Sequence, residues 1–211
     1  MESFWRERWA SGRIGWHASV VNVSLARHLD RLTAGRPSRV LVPLCGKSVD
    51  LAFLAERGHT ALGVELVEQA IVEFFEELGT VPEIEAGERP RHRAQGVEIV
   101  HADFFEVTRE DVGQVDCVFD RAALIALPEE LRGQYVDHSL HLAAPDARIL
   151  LVTLSHEGGD GPPFSVGERE VHDRFGPHCT IERLEGAVAE DVSERLRQAG
   201  AYETTWLMTR R

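Results

Sequence analysis

Apolar residues along this chain form short runs that alternate with glycines and amphipathic segments. Residues 40–44 and 61–66 are apolar runs of the kind that a parallel strand, buried on both faces, requires. Between them, Leu51, Leu54 and Ala55 recur at helical spacing, which predicts a helix with one apolar face. The order strand, glycine turn, helix, strand predicts the first half of a nucleotide-binding α/β unit.

The same alternation continues to the end of the chain. Apolar runs predict further strands at 97–101, 115–119, 149–154, 179–184 and 202–209, and helical spacing predicts helices near 70–78, 129–143 and 192–199. Ser165 and Glu168 have the spacing of a capping box and predict the start of another helix. Residues 79–95, rich in proline, glycine and mixed charge, predict a surface excursion. We therefore expect one domain over residues 1–211, an α/β fold with a doubly wound, Rossmann-like sheet of seven mostly parallel strands and helices on both faces.

Polar residues or turn residues follow four of the predicted strands directly. In chain order they are Gly46, Glu65, Asp103 and the pair Asp120 and Arg121. Ligands of open α/β sheets bind beyond the carboxyl ends of the strands, so these residues are expected to converge on one crevice. Glu65 lies 19 positions after Gly46, where such folds place a carboxylate that binds two ribose hydroxyls.

The turn after the first strand discriminates between adenosine-bearing ligands. The pattern Gly-x-Gly-x-x-Gly of dinucleotide sites is absent, and position 41 is Leu where a Walker phosphate loop needs Gly. S-adenosylmethionine carries ribose and adenine but no phosphate, so one tight turn and one acid suffice for it. Lys47, the only lysine among 23 basic residues, lies in this turn. It reflects either an arginine-biased composition or a contact with the carboxylate of a methionine moiety.

Residues 1–32 precede this unit as an N-terminal extension with two predicted helices. Residues 12–17 (Gly-Arg-Ile-Gly-Trp-His) separate the two helices. Trp5, Trp9 and Trp16 are three of the four tryptophans of the chain. Because aromatic faces suit a cationic ligand such as a sulfonium, we interpret the extension as a helical lid over the site.

Composition excludes several classes of function. A net charge of −12 argues against a general nucleic-acid binder. Cys45, Cys117 and Cys179 are widely spaced and odd in number, which predicts reduced thiols and neither a disulfide nor a metal site. No apolar run approaches a membrane span, and the N-terminus has no signal-peptide pattern. We expect a cytoplasmic monomer with a small-molecule substrate.

Seven segments, in the right order and over nearly the whole chain, resemble the bacterial thiopurine S-methyltransferase family. They are residues 4–9, 12–17, 40–48 (Val-Leu-Val-Pro-Leu-Cys-Gly-Lys-Ser), 63–66, 103–105, 120–128 (Asp-Arg-Ala-Ala-Leu-Ile-Ala-Leu-Pro) and 161–166 (Gly-Pro-Pro-Phe-Ser-Val). The resemblance implies transfer of a methyl group from S-adenosylmethionine to the sulfur of a small thiol, an aromatic or heterocyclic one such as a thiopurine. The other product is S-adenosylhomocysteine.

The resemblance also implies roles for individual residues. On the cofactor side these are Trp9, which packs on the cofactor, Leu44 and Gly46 at the turn, Glu65 at the ribose, and Asp103 with Phe104 beside the adenine. Arg121 is placed at the junction of cofactor and substrate, as the catalytic residue. Trp16 stands where the family has an aromatic residue, usually Phe, that faces the acceptor. Residues 155–157 (Ser-His-Glu) depart from the family pattern, which puts the acceptor in doubt.

Methyl transfer to a thiolate is an in-line displacement that depends on alignment and on the exclusion of water. A thiolate is already a strong nucleophile, so we expect no catalytic triad. Arg121 is our choice for stabilising the anionic acceptor, and a salt bridge to Asp120 or another acid is the competing interpretation. His17 either shuttles a proton or makes a structural hydrogen bond. The alternatives are tellurium or selenium oxyanions, halide or thiocyanate as acceptors, a regulatory S-adenosylmethionine-binding protein without turnover, and a nicotinamide dehydrogenase.

Overall fold

Nine strands form one mixed sheet in a computed structural model that describes residues 2–15, 17–159, 161–190 and 192–211. The strands are β1 (Arg39–Pro43), β2 (Thr60–Glu65), β3 (Glu83–Glu85), β4 (Arg91–Ala94), β5 (Val97–His101), β6 (Val115–Arg121), β7 (Ala143–Ser155), β8 (Cys179–Val188) and β9 (Tyr202–Arg210). The helices are α1 (Glu2–Ala10), α2 (Val23–Thr33), α3 (Val49–Glu56), α4 (Glu68–Glu77), α5 (Arg109–Val112), α6 (Glu129–Leu142), α7 (Glu168–Phe175) and α8 (Glu194–Gln198). Two short 3₁₀ helices span Phe104–Glu106 and Leu124–Ala126.

The strand order is β3-β4-β5-β2-β1-β6-β7-β9-β8. The five central strands, β5 to β7 in this order, are parallel. At one edge β9 runs antiparallel to β7 and β8 antiparallel to β9, and at the other edge β4 and β3 form an antiparallel hairpin on β5. The α/β architecture is as predicted. The prediction of seven mostly parallel strands was wrong, since the described sheet has nine strands and is mixed.

The hairpin of β3 and β4 occupies the segment predicted as a surface excursion. Its residues are polar, so no apolar alternation marks them as strands. Arg91 and Arg93 of β4 instead donate to the carboxylate of Glu98 on β5, at 2.9 and 3.5 Å. His92 between them is buried. Ion pairs across the ladder therefore replace the apolar contacts that usually reveal a strand.

Helices cover both faces of the sheet, and successive residues of the central strands point to opposite faces. One buried cluster joins the strands to α6 and α7, and includes Leu41, Leu62, Val118, Ile149, Tyr135 and Phe175. The other joins them to α2, α3 and α4, and includes Val40, Phe119, Leu150, Leu25, Leu51 and Phe74. The site at the strand ends thus rests on a core packed from both sides.

The N-terminal extension divides into two parts with different surroundings. Leu25, Leu29 and Leu32 of α2 are buried in the core, so this helix is one of the sheet's covering helices. Trp9 of α1 instead packs against Val67 and Ala70 at the start of α4. We therefore use the name lid segment for residues 2–15 and 17–22 only.

Candidate functional site

The crevice opens where the strand order reverses. β1 pairs with β2 on one side and with β6 on the other, so the chain leaves β1 in one direction and later returns on its other side. The carboxyl ends of β1 and β6 therefore form the switch point at which such sheets bind ligands. Leu44, directly after β1, and Ala122, directly after β6, both adopt positive φ angles, of 48° and 79°. For non-glycine residues such backbone costs on the order of 1 kcal/mol and clusters at functional sites.

Glu65 at the end of β2 holds the turn after β1. Its Oε2 accepts the N–H of Gly46 and its Oε1 accepts the N–H of Val67, each at 2.8 Å. The residue is 7% exposed, and this burial raises the pKa of its carboxyl while the backbone N–H groups of Val67, Gly46 and Leu66 act in the opposite direction. The carboxylate therefore ties two neighbouring strand ends together.

The same carboxylate fits a ribose. The two carboxylate oxygens together have about four acceptor positions, and the backbone N–H groups do not use all of them. Glu65 can therefore accept a ribose hydroxyl and keep the turn in place. The role of Glu65 at the ribose stays a prediction.

Trp9 of the lid segment lies over the Gly46 turn. Gly46 has a φ of +53°, and a Cβ built on it would be 3.3 Å from Cζ2 of Trp9. The indole is 4% exposed. Gly46 is thus required both by its left-handed backbone and by the close approach of the indole. The lid segment and the turn are in direct contact.

Asp103 and Phe104 follow β5 on the same edge of the sheet. Oδ1 of Asp103 accepts the N–H of Phe105 at 2.9 Å and caps the first 3₁₀ helix. The ring of Phe104 is 1% exposed and lies 5.3 Å from the rings of both Tyr135 and His138. The ring therefore belongs to the core and presents no open stacking face. The predicted contact of this pair with adenine stays a prediction.

Asp120 braces the other side of the crevice. Its Oδ2 accepts the hydroxyl of Tyr135 at 2.7 Å, and its Oδ1 accepts the N–H of Leu124 at 3.2 Å. Burial raises its pKa to about 6, against the hydrogen bonds from Tyr135, Leu124 and Ala123. These bonds fix the turn that starts at the strained Ala122. Asp120 thus braces this turn.

Arg121 is the last residue of β6 and lies half-buried beside the switch point. Its charge contributes to lowering the pKa of His17 and opposes the rise that burial causes in the pKa of Asp50. The guanidinium is therefore within electrostatic reach of the lid segment and of the start of α3. This places a cation at the end of β6, beside the crevice.

Lys47 has a role that neither sequence interpretation included. Its Nζ lies 2.9 Å from Oε2 of Glu73 and 2.6 Å from Oε1 of Glu77, both on α4. The hydrogen bond to Glu77 is the largest cause of its raised pKa. The ammonium joins the turn after β1 to α4. In the sequence, the signal for this role is the spacing of Glu73 and Glu77, two acids four residues apart on one helix.

Asp50, in the first turn of α3, was also missed. It is 4% exposed; its Oδ1 accepts the N–H of Asn22 at 2.8 Å and its Oδ2 accepts the hydroxyl of Ser48 at 2.9 Å. Burial raises the pKa of this carboxyl. Asp50 therefore anchors the C-terminal end of the lid segment, and Trp9 anchors α1 at its other end.

The loop after β7 forms the wall beside Arg121. The ring of His156 spans it: Nε2 lies 3.1 Å from the carbonyl oxygen of Pro163, and Nδ1 lies 3.3 Å from the N–H of Gly158. The N–H of Phe164 donates to the carbonyl of Ile125 at 2.7 Å. The loop is thus fastened to the 3₁₀ turn that follows Arg121.

Ser165 belongs to this wall and not to a helix cap. Its hydroxyl accepts the N–H of His156 at 2.9 Å, and α7 begins after Gly167 with no side-chain cap. The predicted helix does begin here, at Glu168. The capping box predicted from Ser165 and Glu168 was wrong, because the hydroxyl of Ser165 closes the loop.

Trp16, predicted to face the acceptor, lies outside the described residues, so that prediction stays open. No cluster of three or more His, Cys, Asp or Glu side chains that could hold a metal ion occurs among the described residues. Within the same part of the chain, no helix is long and apolar enough to cross a membrane. Cys45, Cys117 and Cys179 are free and buried.

The chain is similar to known proteins over its whole length. A family model described as thiopurine S-methyltransferase matches residues 1–211. A thiopurine S-methyltransferase of Pseudomonas aeruginosa (strain UCBPP-PA14) is 41% identical over 207 residues, which are 97% of this chain and 94% of that protein. One of Pseudomonas fluorescens (strain Pf0-1) is 44% identical over 200 residues, 93% of this chain and 92% of that protein.

Solved structures share the fold at lower identity. A magnesium protoporphyrin IX methyltransferase from Synechocystis PCC 6803 with bound S-adenosylhomocysteine superposes with a TM-score of 0.67 at 16% identity, over 100% of both chains. A Burkholderia thailandensis 1,6-didemethyltoxoflavin-N1-methyltransferase superposes with a TM-score of 0.66 at 19% identity, over 99% of this chain and 86% of that one. At these identities the likeness concerns the fold alone.

Proposed function

The chain belongs to the thiopurine S-methyltransferase family, and we propose that it transfers the methyl group of S-adenosylmethionine to the sulfur of a small aromatic or heterocyclic thiol. The observation that carries the proposal is the position of Glu65, buried against the Gly46 turn beside the switch point, with acceptor capacity left on its carboxylate. That arrangement suits a ribose. The turn lacks the additional glycines with which dinucleotide sites bind a pyrophosphate.

The cofactor half of the crevice comprises the ends of β1, β2 and β5. When bound, S-adenosylmethionine supplies an electrophilic methyl group on a sulfonium sulfur. Glu65 would hold the ribose hydroxyls, the turn at Leu44 and Gly46 would lie along the methionine moiety, and Trp9 would close the site from above. We place the adenine beside Asp103 and the backbone of Phe104.

The acceptor half comprises the end of β6 and the loop after β7. Arg121 would stabilise the anionic sulfur of the acceptor, because a guanidinium in a site shielded from water interacts more strongly with a charge than it does in bulk solvent. Asp120 is left out of the chemistry, since its oxygens hold Tyr135 and Leu124. The main contributions of the chain are alignment and the exclusion of water.

Ligand binding and product analysis test the proposal together. Calorimetry should show binding of S-adenosylmethionine and S-adenosylhomocysteine but not of NAD, and a panel of thiols with radiolabelled S-adenosylmethionine should give labelled thioethers, 6-mercaptopurine among the acceptors. Binding of NAD without binding of S-adenosylmethionine would favour the dehydrogenase alternative. Cofactor binding with labelled oxyanions or halides, and no labelled thiol, would move the acceptor outside the thiols.

We further propose that the protein is a cytoplasmic monomer. Three free, buried thiols are compatible with a reducing compartment. The exposed large apolar residues of the described chain are scattered over several elements, namely Val20, Val23, Val72, Val81, Ile84 and Val188. Light scattering after size exclusion should give a mass near 23.6 kDa, and twice that value would contradict the monomer.

A further inference from the structure

Arg132, on α6, is a buried cation that the mechanism proposed above does not use. The residue is 4% exposed. A guanidinium in the interior of a protein needs partners for its N–H donors, because an unpaired buried charge is costly. The partners of Arg132 therefore show what this side chain holds in place.

The guanidinium joins three separate segments of the chain. Its Nε donates to the carbonyl of Leu127, the residue that ends the second 3₁₀ helix, at 2.9 Å. Its Nη1 donates to the carbonyl of Ser165 in the loop after β7 at 3.2 Å, and to Oε2 of Glu170 on α7 at 2.7 Å. Two of these three acceptors belong to the backbone, so the bonds fix the path of the chain itself.

The aromatic residue of the same loop also lies against this cation. Cζ of Arg132 is 5.7 Å from the centre of the Phe164 ring, which is within the range of a cation–π contact. The N–H of Phe164 donates to the carbonyl of Ile125 at 2.7 Å, and the N–H of Val166 donates to the carbonyl of Leu154 on β7 at 2.8 Å. The loop is thus held between the second 3₁₀ helix, β7 and the guanidinium.

These contacts connect Arg132 to the acceptor half of the crevice. That half comprises the end of β6 and the loop after β7, and the second 3₁₀ helix begins three residues after Arg121. Because the guanidinium is planar and rigid, its two bonded nitrogens fix the distance between the carbonyls of Leu127 and Ser165. The single ammonium of a lysine cannot bind both carbonyls in the same way.

We propose that Arg132 is a positioning residue of the acceptor half, which sets the separation between the loop after β7 and the turn that follows Arg121, and thereby the affinity for the thiol. The inference rests on the proposed function. Arg132 acts through the two backbone carbonyls that it binds and needs no contact with the thiol itself. A buried ion pair is weak evidence for a role in stability, since apolar residues of similar size often stabilise a core as well. The planar group instead specifies one arrangement of three segments.

Arg174 provides a matched control at the same carboxylate. Its Nε donates to Oε1 of Glu170 at 2.7 Å, so Arg174 and Arg132 each bind one oxygen of this acid. Its Nη2 donates to the carbonyl of Glu129 on α6 at 3.3 Å. Neither partner belongs to the loop after β7 or to the turn that follows Arg121. Loss of Arg174 therefore removes an ion pair from Glu170 without releasing the loop.

Steady-state kinetics of Arg132→Met, Arg132→Lys and the control Arg174→Met, with 6-mercaptopurine as the acceptor, test the inference. Met has a similar length but no donor, and Lys keeps the charge but not the planar group. For both Arg132 variants we expect the KM for 6-mercaptopurine to rise by about tenfold or more, since a displacement of about 1 Å can cost about 100-fold. The KM for S-adenosylmethionine and the Kd for S-adenosylhomocysteine should not change. The control should match the parent protein in all three constants.

A role of Arg132 in stability alone would give a different result. It would lower the fraction of folded enzyme, so kcat would fall while both KM values stayed the same, and this outcome would overturn the inference. A KM of Arg132→Lys equal to that of the parent would also overturn it, because the charge alone would then suffice. An equal rise of KM in Arg174→Met would assign the effect to the ion pair with Glu170 and would overturn the role of the loop contacts. If Arg132→Met does not fold, Arg132→Lys and the control decide the question.

Backbone hydrogen exchange gives a second readout that does not depend on activity. In the Arg132 variants the N–H groups of Phe164 and Val166 should exchange faster than in the parent protein, because their loop is held less firmly. The N–H of Gly46, which Glu65 holds in the cofactor half, should exchange at the parent rate. Unchanged exchange at both loop positions would overturn the inference. If the parent protein methylates no thiol, the proposed function fails, and faster exchange confined to the loop would still support the positioning role of Arg132.

Discussion

Each half of the crevice is fastened by a buried acid, but the two acids have different partners. In the cofactor half, Glu65 accepts two backbone N–H groups, those of Gly46 and Val67. In the acceptor half, Asp120 accepts one backbone N–H, that of Leu124, and one side-chain hydroxyl, that of Tyr135. A backbone N–H is present whatever the residue, whereas the hydroxyl of Tyr135 can be removed by a substitution.

The lid segment is fastened at two places. Trp9 contacts the cofactor turn at Gly46, and Asn22 is bonded to Asp50 at the other end of the segment. The lid segment is thus positioned by contacts made in the cofactor half. Substitutions that change either cofactor affinity or acceptor kinetics would support a division of the crevice into two halves. Substitutions that change both quantities would contradict it.

The largest effect on the acceptor half alone is expected from Arg121→Ala. Loss of a preorganised cation at the developing product should lower kcat by about 100-fold to 1,000-fold, while the affinity for S-adenosylhomocysteine changes little. Steady-state kinetics with a thiol and calorimetry with S-adenosylhomocysteine measure the two quantities. Unchanged turnover would remove Arg121 from the mechanism, and an equal loss of affinity would place it in the cofactor half.

Glu65→Gln should produce the opposite pattern. The amide group replaces one carboxylate oxygen and turns a donor toward Gly46 or Val67, and charge-assisted bonds are worth about 1.5–3 kcal/mol each. We expect the Kd for S-adenosylhomocysteine to rise by about 100-fold. The control is Glu68→Gln on the exposed side of α4, which should bind as the parent protein does. Equal affinities of Glu65→Gln and Glu68→Gln would exclude a ribose at this carboxylate.

Asp120 should make the stability of the acceptor half depend on pH. Its folded pKa, about 6, lies above the ordinary value of 3.8, so its contribution to stability is complete below pH 3.8 and is lost as the pH rises through 6. The loss amounts to about 1.4 kcal/mol per unit of pKa difference. Urea unfolding between pH 4.5 and 7 should show this fall, and Asp120→Asn should flatten it.

Tyr135→Phe tests the hydrogen bond that Asp120 accepts from the hydroxyl of Tyr135. Without the hydroxyl, the ionised Asp120 loses its shortest hydrogen bond, so its pKa should rise further and the protein should lose about 1–3 kcal/mol at pH 7. Tyr202→Phe is the matched control, because Tyr202 is the only other tyrosine of the chain and is partly exposed. Binding of S-adenosylhomocysteine should be the same in both variants, and a weakened affinity in Tyr135→Phe alone would contradict the division.

The smallest effect is expected from His156→Ala. The variant loses the bonds that span the loop, each worth about 0.5–1.5 kcal/mol, so the KM for the acceptor should rise by a few-fold and the preference among thiols should shift. Affinity for S-adenosylhomocysteine should not change. His141→Ala, an exposed position on α6, is the control. If the thiol preferences of the two variants agree, His156 does not shape the acceptor wall.

Part of the molecule was predictable because it follows from periodicity and from chain order. The apolar runs of β1, β2, β5 and β6 are buried on both faces, so their sequence alone identifies them. The position of Glu65 at the end of β2 follows from its distance along the chain to Gly46. By contrast, the charged residues Arg91 and Arg93 of β4 have their partner, Glu98, on β5, and no local pattern reveals such a partner.

The candidate site also divides into features that the sequence predicts and features that only the tertiary structure shows. That Gly46, Glu65 and Arg121 share one edge of the sheet follows from the sequence, since parallel strands end at the same edge. That Lys47 pairs with Glu73 and Glu77, and that Ser165 closes a loop and caps no helix, required the tertiary structure. Backbone geometry and apolar burial are determined by neighbours in sequence, whereas a polar side chain takes whichever partner the folded chain brings within about 3 Å of it.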